Sequence, residues 1–191
     1  MGFLDALLGR SKPVQPDLDR LFALPSAAVT LAASTSFVPT GVGSVCFRAM
    51  EGRAFGDIEA DVRQLLDSDA AKMAPVEVST DSYGFTWMVI RQPADQLEAL
   101  VTDLHAVNST LADSGFGPSL LCSLVTFRDS KDRRLAIVYL YKRGTFYPFA
   151  PLPGERRDTA VELQVRAAIE GDLMIEKDLG RWFPVWGAPA L

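Results

Sequence analysis

The chain has 191 residues, with 24 acids against 19 bases and a formal net charge of -5. That length suits one ordinary domain with short appendages, long enough to bury a core without metals or disulfides. The acidic balance, with a sequence pI of about 4.9, excludes a general nucleic-acid binder, and 48% hydrophobic residues exclude disorder of the whole chain.

The first predicted element is a short amphipathic helix. Phe3, Leu4, Leu7 and Leu8 recur at helical spacing, and Arg10 and Lys12 follow. Gly9, Pro13 and Pro16 separate this peptide from the rest, so residues 1–16 read as a peptide with linker and 17–191 as one domain. The peptide packs on its own domain or docks weakly on a membrane surface or partner. No positive n-region precedes an apolar run and no stretch is long enough to span a bilayer, so the expected location is cytoplasmic, peripheral at the inner face of the membrane at most.

Asp17 is the expected N-cap of a helix bearing Leu18, Leu21, Phe22 and Leu24, which Pro25 and Ser26 interrupt or end. A strand with Val42, Val45 and Phe47 is expected after a turn at Pro39–Gly43. Residues 57–67 read as a helix, 68–75 as a loop and 76–80 as a short strand. The run 83–91 is apolar at nearly every position, which marks a strand buried on both faces. Helix 96–113 has the clearest stripe: Leu97, Leu100, Val101, Leu104, Val107 and Leu111. Strands 120–128 and 134–142 form a hairpin about the polar Asp129–Asp132 turn. Residues 159–170 are a helix with Asp158 as cap.

The order α-β-α-β-β-α-β-β-α, with strands in pairs, indicates an α+β fold. The expected sheet is mostly antiparallel, of about five strands, with helices on one face. Runs 83–91, 120–128 and 134–142 are expected as neighbours. This order is similar to that of secretion-chaperone-like and YbjN-like domains, which bind proteins.

Chemistry is sparse. His105 is the single histidine, and Cys46 and Cys122 lie in separate apolar runs, where buried free thiols are expected. The glycines at 41–43 lack the Rossmann spacing and the phosphate-loop lysine. The paired carboxylates fall on polar helix faces or loops. No catalytic residue, metal site or cofactor is expected.

What stands out is LYKRGTFYPFAP at 140–151 and LGRWFPVWGAP at 179–189. Proline and glycine exclude a long helix or central strand in either segment, yet the rings are too apolar for solvated loops. The residues selected as partner-binding are Tyr141, Lys142, Arg143, Phe146, Tyr147, Phe149, Arg181, Trp182, Phe183 and Trp186. Trp182 leans toward the core, Phe146 and Tyr147 toward an interface, and the two segments are expected to dock antiparallel. The uneven charge reads as two differently solvated faces, or as a basic strip beside the aromatic segments, at Lys142, Arg143, Arg156 and Arg157, that meets an acidic partner or lipid surface. Residues 128–166 carry 9 bases and 5 acids, against 4 and 12 in 51–127. The alternative is a pocket for a small ligand or substrate built from the same rings.

The runs MGFLDALLGR, FVPTGVGSVCFRAMEGRAF, LVTDLHAVNSTL, YLYKRGTFYPFAP and LGRWFPVWGAPAL resemble the actinobacterial PspA-associated family PspAB. The resemblance implies a non-catalytic regulatory or adaptor role in envelope stress, beside the phage-shock protein PspA and an HtpX-like membrane metallopeptidase. It carries over no catalytic residues.

Overall fold

In the computed structural model, residues 16–48, 56, 57, 59, 60, 62–64 and 75–191 are described. The amphipathic peptide, with Phe3, Leu4, Leu7, Leu8, Arg10 and Lys12, lies outside them, as do most of loop 68–75 and part of helix 57–67. The described residues among 56–64 are helical, and Val62 is buried.

A 3-10 turn, Leu18–Ala23, runs into helix α1, Leu24–Thr35. Asp17 does not cap it; its carboxylate accepts from Arg20 Nε at 2.8 Å. Pro25 begins the helix rather than breaking it, because a first-turn N–H has no intrahelical acceptor to lose.

Strand β1, Val38–Arg48, contains the expected Pro39–Gly43 turn within it. The backbone stays extended and absorbs the irregularity as a shift of register between Pro39 and Gly43. Gly41 is obligatory here: its φ is +78°, and a Cβ would stand 2.1 Å from the Gln92 carbonyl.

Strands β2, Glu77–Thr80, and β3, Phe85–Arg91, form a hairpin about Asp81–Gly84. Helix α2, Leu97–Leu111, buries every residue of its predicted stripe. Strands β4, Leu120–Arg128, and β5, Arg134–Leu140, pair as expected, and β6, Thr145–Phe149, adds an edge. Two short strands, β7 at Pro151–Leu152 and β8 at Arg156–Arg157, make a separate ribbon. Helix α3, Thr159–Ile169, follows, with Asp158 accepting from the Val161 amide at 3.1 Å.

The fold is α+β, as expected, but the sheet has six strands in the order β2-β3-β1-β4-β5-β6, all antiparallel. One expectation is corrected: β3 and β4 are not neighbours. β1 lies between them, pairing Cys46 with Trp87 on one side and with Cys122 on the other.

Side chains alternate across this sheet. One face, with Val45, Phe47, Ile90, Val125 and Ile137, packs under the helices in the larger core. The other, with Cys46, Trp87, Val89, Cys122, Leu124 and Val138, forms a second core closed by the C-terminal segment. The two covers explain why Trp87–Ile90 of β3 are apolar on both faces.

Candidate functional site

The C-terminal segment is fastened first at β6. Pro148 is tolerated there because β6 lies at the end of the sheet order. The Phe146 amide donates to the Met174 carbonyl and the Glu176 amide to the Phe146 carbonyl, both at 2.8 Å. Residues 174–176 thus continue the sheet in parallel and cover its edge.

Glu176 anchors this junction from inside. Its carboxylate accepts from the Arg143 guanidinium, from Thr145 Oγ1 at 2.9 Å and from the Asp178 amide at 3.1 Å. Burial alone would raise its pKa, but these donors together hold it below the ordinary glutamate value. Trp182 Nε1 then donates to the Glu176 carbonyl at 2.9 Å.

Beyond this point the chain crosses the second face. Trp182 stacks on Tyr147 with centroids 6.0 Å apart, and Trp186 meets Phe149 edge-on at 4.9 Å. Tyr147 donates its hydroxyl to the Phe183 carbonyl at 2.8 Å. Arg157 joins three elements. It is paired with buried Glu162 of α3 at 2.9 Å, bonded to the Trp182 carbonyl, and set over the Phe149 ring at 5.2 Å.

The two aromatic segments therefore dock on one another, as their composition required. Their direction corrects the expectation: Tyr147 meets Trp182 and Phe149 meets Trp186, so they run in the same sense. The parallel bridge at Phe146 and Ile175 sets that direction.

The ten selected residues divide by sheet face. Tyr141 and Phe146 point into the helix-side core, where Phe146 lies 5.1 Å from Tyr139. Tyr147, Phe149 and Trp182 are buried in the second core. The interface leaning of Phe146 and Tyr147 is corrected, since both rings are 1% exposed. Trp182 is core at 5%. Left at the surface are Lys142, Arg181 and Phe183, with Arg143 and Trp186 half-buried.

The basic strip is similarly divided. Arg143 and Arg157 are committed to buried carboxylates. Arg156 donates to the Pro153 carbonyl at 3.1 Å, and Lys142 Nζ to the Pro118 carbonyl at 2.8 Å.

Between the tail and the ends of β1, β3, β4 and β5 lies a hollow of about 660 Å³. Buried Cys46, Trp87, Cys122 and Tyr147 form its floor, half-buried Leu121, Leu140 and Trp186 its walls. Arg48, Lys142, Arg143 and Arg181 also line it, against one acid among the described residues, Asp81. The Asp81 carboxylate accepts from Trp87 Nε1 at 2.8 Å and from the Tyr83 and Phe85 amides at 2.9 and 3.0 Å. Those bonds outweigh the upward push of burial and lower its pKa.

Arg48, Asp81, Trp87 and the cysteines carried no sequence signal as one site. The two thiols are free and directly opposite on β1 and β4. Hydrogen bonding to Cys122 and burial both push the Cys46 pKa up, so this thiol stays protonated. His105 is elsewhere, with its ring on Phe22 at 4.9 Å and Nε2 at 3.2 Å from Asp19. Among the described residues no group of three or more His, Cys, Asp or Glu could hold a metal ion, and no helix is long and apolar enough to cross a membrane.

No curated protein and no solved structure matches the chain. The family model described as PspA associated protein B matches residues 1–190, both aromatic segments included, and the chain therefore belongs to the PspAB family.

Proposed function

We propose that this PspAB protein is a non-catalytic adaptor of a PspA-linked envelope-stress system, acting by protein–protein binding. The observation that carries the reading is the outer side of the C-terminal tail. Leu179 and Phe183 are 54% and 56% exposed although Trp182 between them is buried. Arg181 and Lys142 are exposed in the same region, where they line the adjoining hollow. An aromatic ring beside arginine is a common make-up of an interface anchor. PspA or an HtpX-like membrane metallopeptidase is the partner of choice. The amphipathic peptide adds a weak membrane-surface contact from the cytoplasmic side.

The test measures binding of purified PspA, then of the metallopeptidase, to the wild type and to an Arg181→Glu, Phe183→Ala double variant. These side chains are exposed, so the melting temperature should hold. Affinity for the true partner should fall by about 2 kcal/mol or more, roughly thirty-fold. Equal binding by wild type and variant would remove this surface from the reading.

A further inference from the structure

We propose that the hollow on the second sheet face is a binding site for a single-chain anionic amphiphile. The alkyl chain lies on the floor and a singly charged headgroup sits at the cationic rim. This goes beyond the adaptor reading and stands on the lining of the hollow alone.

The floor selects hydrocarbon. Its polar groups are already satisfied inside the protein: Tyr147 Oη donates to the Phe183 carbonyl and Trp87 Nε1 to Asp81. Cys46 and Cys122 stand opposite each other on β1 and β4, and a thiol is only a weak hydrogen-bonding group. A ligand bringing hydrogen-bonding groups to this floor would leave them unpaired, at a cost an alkyl chain avoids. The volume, about 660 Å³, is that of a small-molecule site.

The rim selects charge. Among the described residues four cationic side chains line the hollow against one carboxylate, Asp81, which already holds three donors. Arg143 and Arg181 are paired with Glu176 and Asp178, neither of which lines the hollow. Lys142 bonds a neutral carbonyl and not a carboxylate, and Arg48 is exposed. With half the cations already compensated, the rim suits a monoanion better than a polyanion.

The test uses the full chain and monomeric n-alkyl sulfonates of increasing length, which carry one negative charge, each below its micelle concentration. Trp87 and Trp186 line the hollow and supply the fluorescence signal. Binding should saturate, tighten about fourfold per added methylene and raise the melting temperature, as a ligand of the native state must. Alkanols of equal length should bind more weakly and alkyl trimethylammonium ions not measurably. Lys142→Glu, at an exposed position, should weaken alkyl sulfonate at least tenfold while leaving alkanol unchanged. Leu121→Trp should fill the hollow and abolish both.

A falling melting temperature, indifference to chain length or to headgroup sign, or binding only to intact anionic vesicles would overturn the proposal. So would loss of all binding on deleting residues 1–12, which would assign the ligand to the N-terminal peptide. PspA is absent throughout, so a negative result leaves the adaptor reading to its own test.

Discussion

Glu176 fastens the start of the tail through several hydrogen bonds. It is 2% exposed and meets Arg143, Thr145 and the Asp178 amide. Its pKa is lowered in the folded protein, so the stability it contributes is present above the ordinary carboxylate range and lost as pH falls through the folded value. Acidification should therefore release the tail, read as a change in Trp182 and Trp186 emission. Glu176→Gln should weaken the tail already at neutral pH and flatten that acid transition. An unchanged transition in the variant would assign it to other carboxylates. Tyr139 shows the opposite linkage. Burial raises its pKa to about 12, and its hydroxyl donates to the Asp17 carbonyl. Its share of stability holds below the ordinary tyrosine value and is lost as pH rises through the folded one.

At the scale of elements, the tail is a cover for the second sheet face and should behave as core. Trp182→Ala removes a ring stacked on Tyr147 and should cost about 3–5 kcal/mol, measured by denaturant unfolding. Gly187 tests the same docking from the far end. A Cβ there would stand 2.5 Å from an Asp81 carboxylate oxygen, and the three donors on Asp81 prevent it from swinging aside. Gly187→Ala should therefore cost about 1–3 kcal/mol and perturb Trp87 emission. A neutral result would mean that the tail lifts readily from the Asp81 turn. Although Tyr83 belongs to the turn and not to the strand, the two strands flanking that turn, read as 76–80 and 83–91, were readable in the sequence. The intervention of β1 between β3 and β4 was not, because alternation tells a strand its faces but not its neighbours.

At the scale of the molecule, the described residues form a sheet covered on both sides, and the sequence alone carries the expectation of a separate N-terminal peptide on a proline-containing linker. Deleting residues 1–12 should leave the melting temperature within about 3 °C and reduce co-sedimentation with anionic vesicles or with the partner. A stability loss of about 3 kcal/mol or more would make the peptide part of the core.

Several features were determined by the amino-acid sequence alone, because they rest on local periodicity or composition. The α2 stripe, the β4–β5 hairpin, the two-sided burial of β3 and the meeting of the two aromatic segments are of this kind. The roles of individual rings and charges were decided only by tertiary structure. Phe146 and Tyr147 are adjacent in sequence, yet strand alternation sends one under the helices and the other under the tail. Arg143 and Arg157 looked like a surface strip until the fold brought buried Glu176 and Glu162 against them. The hollow has the same origin: Cys46, Trp87 and Cys122 come from three strands, and only the β3-β1-β4 register sets them side by side. Periodicity is a property of one segment, whereas a site depends on the pairing of several, which long-range packing alone selects.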